Sequence, residues 1–343
     1  MKLEKVVLNE ERNVTLTALL QEVGGEFGSV LQRPAVLVLP GGGYAMCSER
    51  EADPVALAFS QAGFQAFILR YSVGDHRTWP NPLSDYEMAI KCIRSNKDWH
   101  VDPERVCVVG FSAGGHLAAC AATLSKNRPN AALIGYGALT KEICDACQPG
   151  MPYPVDCVDE KTPPCFLFAT RDDNIVNVSN TVAFQQALVE KGVSFEAHIY
   201  SYGPHGFSTG QSWLIPTPMT PRATRWTQDA LDWLGEVWGR FTSNGFTDPA
   251  FSRNVNADRE EMLSVQCTLG HLLRQDGCVK ELLSHAMAVL EAYAHSRFPG
   301  KEQQAMAVLD GYRFQELLCE LHFTQEQIND MDVQLRKISN NRT

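Results

Sequence analysis

The sequence predicts an α/β architecture, a mostly parallel sheet with helices on both faces, followed by an all-helical C-terminal appendage. Three observations carry this. Short continuous apolar runs alternate with helical patterns from about residue 34 to residue 240, as expected of strands buried on both faces. A segment rich in Asn, Ser, Gly and Pro follows, and beyond it the apolar periodicities are helical only. The chain has 343 residues, more than one compact core usually needs. The expected division is a catalytic domain over 1–242, a linker over 243–258 and a helical module over 259–343.

Taken in order, the first thirty residues are expected to add antiparallel edge strands. "PAVLVLP" (34–40) reads as a buried strand, "EADPVALAFSQAG" (51–63) as a helix ended by glycine and "QAFILRYS" (65–72) as the next strand. "LSDYEMAIKCIRSNKDW" (83–99) carries apolar residues at helical spacing, and "RVCVVGF" (105–111) is a strand. "SAGGHLAACAATLS" (112–125) is a small-residue helix able to pack closely on a sheet. Strands "AALIGYG" (131–137), "PPCFLFATRDD" (163–173) and "SFEAHIYSYG" (194–203) alternate with helices over 179–192 and 221–238. In the tail, Leu263, Leu269, Leu272 and Leu273, then Leu282, Leu283, Met287 and Leu290, then Leu317, Leu318 and Leu321, and last Ile328, Met331, Leu335 and Ile338 form helical stripes. Such stripes face a core first and a partner, including a second copy of the chain, only second. "TQEQ" at Thr324–Gln327 is a capping box opening the last helix.

Bulk properties narrow the function. Net charge is −10 and no long basic run occurs, which argues against nucleic acid and anionic membrane as partners. The start lacks the apolar core of a secretion signal, and no run of about 18 apolar residues exists to span a bilayer. The eleven scattered cysteines fit reduced thiols in a cytoplasm. Cys144 and Cys147 have metal or redox spacing, with Cys157 and Cys165 downstream. No second C-x-x-C or nearby histidine joins them, so plain thiols are the expectation over zinc.

The chemistry concentrates in "VVGFSAGGHLAA" (108–119), where Gly110 and Gly114 flank Ser112 in a G-x-S-x-G pattern. This marks a strand-to-helix turn too sharp for side chains at the flanking positions, with the serine held proud of the sheet edge. Serine is a poor nucleophile unless a base takes its proton and a third group holds that base in the right tautomer. In an open parallel sheet these groups come from loops at strand C-terminal ends. The strand over 163–170 runs into Asp172 and Asp173, and the loop "YSYGPHGFS" presents His205 among Gly203, Pro204 and Gly206. Asp173 is preferred to Asp172 because it stands three residues before Val176, the D-x-x-V spacing. The other acid then caps a turn. "LPGGGYAM" follows the first strong strand, and its glycines let backbone N–H groups approach a substrate oxygen. The oxyanion donors would be the N–H of Ala113 with those of Gly42, Gly43 or Tyr44. Losing one such donor typically costs about 3 kcal/mol of barrier. His116, one helical turn past Ser112, reads as a structural histidine. Trp79, in a Pro-rich loop, reads as packing or a pocket border.

"PGGGYAMCSEREADPVALAF", "QAFILRYSV", "VVGFSAGGHLAA", "TPPCFLFATRDDNIVNV" and "YSYGPHGFS", in this order over residues 30–240, resemble the small α/β-hydrolase esterases that deacetylate xylan and related sugars. The resemblance implies the α/β-hydrolase fold, Ser112 as nucleophile, Asp173 as acid, His205 as base, and a carboxylic ester substrate, an acetylated sugar. It needs no metal or cofactor. Asn177 stands where such sequences often have proline, and 141–161, where a cap over the pocket would sit, diverges. The rival readings are an arylformamidase or serine peptidase on the same fold, and a binding module with an inactive hydrolase fold.

Overall fold

Strands and helices alternate through the first two-thirds of the computed structural model, which describes residues 1–148, 150–215, 218–250 and 257–341. Strands β1 (Lys2–Asn9), β2 (Val14–Leu20), β3 (Arg33–Leu39), β4 (Gln65–Arg70), β5 (Val101–Phe111), β6 (Ala131–Gly135), β7 (Cys165–Thr170) and β8 (Phe195–Tyr200) form one sheet in the order β1-β2-β4-β3-β5-β6-β7-β8. The first two pairings, β1–β2 and β2–β4, are antiparallel, so the N-terminal residues add the antiparallel edge strands expected from the sequence. From β4 to β8 every pairing is parallel.

The apolar runs are continuous because both faces are covered. Ala35, Leu37 and Leu39 of β3 point into one core, and Val36 and Val38 into the other. Helices α2 (Asn81–Ser95), α3 (Ala113–Thr123) and α5 (Ser179–Glu190) cover the first face through residues such as Ile90, Leu117 and Phe184. Helices α1 (Asp53–Gln61) and α6 (Trp226–Trp238) cover the second with Phe59, Trp226 and Trp233. Ring stacking of Phe168 on Trp226, 4.1 Å between centroids and 6° from parallel, ties β7 to α6.

From β3 the chain crosses to β4 on one side and then returns to β5 on the other. The loops leaving the C-terminal ends of β3 and β5 therefore diverge, and a crevice opens between them. Leu39 and Gly110 lie side by side at its floor.

Several element boundaries differ from the sequence expectation. Helix α1 begins at Asp53, after a 3-10 turn over Glu49–Glu51, so Glu51 is not part of the helix. A short helix α4 (Lys141–Cys147) stands in the divergent segment 141–161.

The described residues divide into compact units Met1–Phe251 and Ser252–Thr343, so the first unit runs past residue 242. The reason is a hairpin of β9 (Phe241–Thr242) and β10 (Gly245–Phe246) packed on the α/β unit. The Arg105 guanidinium lies 3.9 Å over the Phe246 ring, and Ala250 N–H donates to Glu236 C=O at 2.7 Å. Of the expected linker, 251–256 lie outside the described residues.

The C-terminal unit contains α7 (Leu269–Leu273), α8 (Gly277–Arg297), α9 (Glu302–Leu309), α10 (Phe314–Glu320) and α11 (Gln325–Leu335). It is not purely helical from its start: Met262 pairs with Ser339 and Thr268 with Arg313 in isolated bridges. The apolar stripes face the unit's own core, where Leu269, Leu272, Leu283, Leu290, Leu317 and Leu335 are buried. The capping box at Thr324 is present, with Gln327 returning its side chain to the Thr324 N–H. Among the described residues no helix is long and apolar enough to cross a membrane.

Candidate active site

The bend after β5 is as tight as its glycines suggest. Ser112 takes φ 53° and ψ −116°, a conformation most L-residues avoid. A methyl group on Gly110 would stand 2.1 Å from the Gly114 carbonyl oxygen, and one on Gly114 would stand 2.0 Å from that of Leu39. The two glycines therefore let α3 start directly above β5 and against the end of β3. Ser112 N–H donates to Gly135 C=O at 3.0 Å and its carbonyl accepts from His116 N–H at 2.9 Å, which holds the bend from both sides.

The loops after β7 and β8 bring their polar groups to this serine. Ser112 Oγ is 2.8 Å from His205 Nε2, and His205 Nδ1 is 2.7 Å from Asp173 Oδ2. A carboxylate only accepts, so Nδ1 carries the proton and Nε2 is left to accept from the serine hydroxyl. Asp173 is buried, while the imidazole keeps a small opening to solvent. The other oxygen of Asp173 accepts from the N–H groups of Ile175 and Val176, both at 2.9 Å. That turn gives the D-x-x-V spacing its physical sense, because the third residue's amide anchors the acid. Asp172 instead accepts from Gly203 N–H at 2.9 Å and braces the base of the histidine loop.

The glycine loop runs past the serine from the other side of the crevice. A methyl group on Gly41 would come within 3.0 Å of Ser112 Cβ, so the loop touches the bend. Among the described residues, none accepts a hydrogen bond from the backbone N–H of Gly42, Gly43, Tyr44 or Ala113. Unsatisfied amides around a serine are an arrangement suited to a developing oxyanion. Gly42 and Gly43 have φ of 123° and 59°, and Tyr44 shares the left-handed region at 57°. A tyrosine is strained there, and its hydroxyl is held at 2.7 Å by His116 Nδ1. His116 Nε2 in turn meets the Pro152 carbonyl at 2.9 Å. This histidine is fully buried, and burial pushes its pKa down to about 4, so it is a neutral structural link. Trp79 packs edge-on to its ring at 5.7 Å.

Two side chains that sequence reasoning passed over join these loops. Glu51 is buried and accepts from Gly41 N–H at 2.8 Å and from the Tyr136 hydroxyl at 2.7 Å. Tyr136, just past β6, accepts from Ser208 N–H at 3.0 Å and sets its ring against that of His205, with centroids 5.1 Å apart. A glutamate read as the first turn of a helix carries no local sign of such a role.

The divergent segment 141–161 is anchored by buried Cys144, Met151 and Val158 in the core beside α3. Asn177 Oδ1 accepts from Ser179 N–H at 2.9 Å, an Asx turn just ahead of α5. The cysteines are free thiols; burial pushes Cys144 up to about 12 and Cys47 up to about 11. Among the described residues, no three His, Cys, Asp or Glu side chains converge as metal ligands.

The BD-FAE family model matches residues 29–140, which hold the glycine loop and the serine bend. The chain is 30% identical over 209 residues to "Endo-1,4-beta-xylanase B" of Butyrivibrio fibrisolvens, covering 52% of this chain and 33% of that one. It is 29% identical over 199 residues to "Acetylxylan esterase" of Xylanibacter ruminicola, covering 51% of this chain and 41% of that one. The chain thus spans less than half the length of these curated relatives. Among solved structures, an alpha/beta hydrolase enzyme from a Medee basin deep-sea metagenome library is 37% identical. It superposes with a TM-score of 0.64 over 68% of this chain and 97% of that one. With its parallel sheet, serine bend and order of strand-end loops, the chain belongs to the α/β-hydrolase family.

Proposed function

We propose that the chain is a serine esterase that hydrolyses short-chain carboxylic esters through an acyl-enzyme. The observation that carries this is the unbroken series Asp173–His205–Ser112, with both contacts below 3 Å. His205 Nε2 takes the Ser112 proton as the oxygen attacks the ester carbonyl. Asp173 holds the imidazole in the tautomer that leaves Nε2 free and steadies the imidazolium that forms. The carbonyl oxygen, now negative, is met by the N–H of Ala113 and by those of Gly42, Gly43 or Tyr44. His205 then gives its proton to the departing alcohol. In the second half it takes a proton from water, and the acid leaves as Ser112 is restored.

Acetylated sugars, xylo-oligosaccharides among them, are the proposed substrates; the likeness to an acetylxylan esterase supports this choice. The test is a series of p-nitrophenyl esters of rising acyl length beside acetylated xylo-oligosaccharides. Acetyl esters are expected to turn over fastest, and a clear preference for long acyl chains removes the acetyl assignment. Ser112→Ala is expected to lower kcat by roughly 10⁴-fold or more and to abolish labelling by a fluorophosphonate. Turnover that survives this change removes the serine mechanism.

A further inference from the structure

We propose that Glu51 is a positioning residue for this reaction: its buried carboxylate clamps the glycine loop and, through Tyr136, the histidine loop around Ser112. The inference rests on the esterase reading and extends it to a residue that touches neither substrate nor serine.

The geometry is a three-loop bridge. Glu51 Oε2 accepts from Gly41 N–H at 2.8 Å, one residue before the candidate oxyanion donors. Its Oε1 accepts from the Tyr136 hydroxyl at 2.7 Å, and the same hydroxyl accepts from Ser208 N–H at 3.0 Å, three residues past His205. Ser208 is held in turn by Trp226, whose indole N–H donates to the Ser208 carbonyl at 2.8 Å. The Tyr136 ring also packs on Phe207 with centroids 4.8 Å apart. One carboxylate therefore links the donor loop, the end of β6 and the loop carrying the base. A carboxylate suits the task because each of its two oxygens accepts one of these bonds, whereas an amide offers one acceptor and would face the other donor with N–H₂.

The same group is a poor stabiliser. Glu51 is 3% exposed, and among the described residues no cation forms an ion pair with it. Burial pushes its pKa up, opposed by the hydrogen bonds from Tyr136 and Gly41 and by the fields of His205 and Arg50. Burying a carboxyl held by hydrogen bonds alone costs folding free energy. A neutral isostere of the same shape avoids that desolvation cost.

The test is Glu51→Gln in the full chain, with p-nitrophenyl acetate kinetics, thermal melting and the rate of fluorophosphonate labelling of Ser112. We expect kcat to fall by ~10- to 100-fold with KM within about 3-fold, as for misplacement of groups by a fraction of an ångström. Labelling slows in parallel, and the melting temperature is unchanged or higher. Tyr136→Phe is expected to lower kcat as well. Its effect should not add fully to that of Glu51→Gln, because both break one bridge. A Glu51→Gln enzyme within 2-fold of the parent kcat overturns the proposal, as does a loss of activity that only follows a lowered melting temperature. Ser112→Ala assayed alongside separates the failures. Turnover surviving there removes the esterase reading, while turnover lost there but intact in Glu51→Gln removes only the role of Glu51.

Discussion

Ser112 and Tyr44 bear backbone strain beside the candidate site, and His116 holds one of them. Ser112 and Tyr44 both occupy positive φ, and the second is pinned by a hydrogen bond to a histidine that has no route to solvent. The neutral His116 makes a definite pH prediction. In the unfolded chain a histidine takes up a proton below about 6.5, while in the fold this one does so only near about 4. The unfolded state therefore binds more protons between those values, and stability is lost as pH falls through that window. The loss amounts to roughly 3 kcal/mol for this group. Urea unfolding of the parent and of His116→Gln between pH 4 and 7 checks it: the variant is expected to show the shallower dependence. Equal slopes would mean that burial does not hold the imidazole neutral.

At the scale of elements, the site is produced by the approach of β3, β5 and α3. Gly114 is where that approach is closest, since a methyl group there would meet the Leu39 and Pro40 carbonyl oxygens at 2.0 and 2.5 Å. Neither neighbour is a flexible side chain, so α3 must move off the sheet. Gly114→Ala is expected to destabilise by about 3 kcal/mol, by analogy with overpacked cores, and to cut kcat more than KM. Chemical denaturation and steady-state kinetics read both effects; a variant that melts and turns over normally would show the contact to be compliant. By contrast, β8 lies at the sheet edge with half-exposed side chains, and alternation there is correspondingly weak.

Across the whole molecule, two units with separate cores share the chain. Every residue of the proposed machinery lies in Met1–Phe251. A chain ending at Phe251 is expected to fold and to keep kcat/KM for p-nitrophenyl acetate within about 3-fold, since a domain with its own core folds alone. A severe loss of activity in a folded truncation would assign residues 252–343 a part in catalysis. The truncation must keep 243–250, because the β9–β10 hairpin and its contacts to Arg105 and Glu236 belong to the first unit. A cut at residue 242 is expected to expose the surface they cover.

Much of this was legible beforehand, for reasons that act within a few residues. Apolar runs without alternation, the paired glycines around Ser112, the D-x-x-V turn and the glycine-flanked His205 each report a local steric or hydrogen-bonding demand. The sequence by itself therefore determined the strand and helix types, the serine bend and the short list of candidates for acid, base and oxyanion donors. Tertiary structure alone decided that Asp173 meets the imidazole while Asp172 braces Gly203, that 243–250 packs on the first unit, and that Glu51 and Tyr136 join three loops. Those outcomes depend on which distant backbone groups packing brings within 3 Å, and no short-range pattern encodes such a distance.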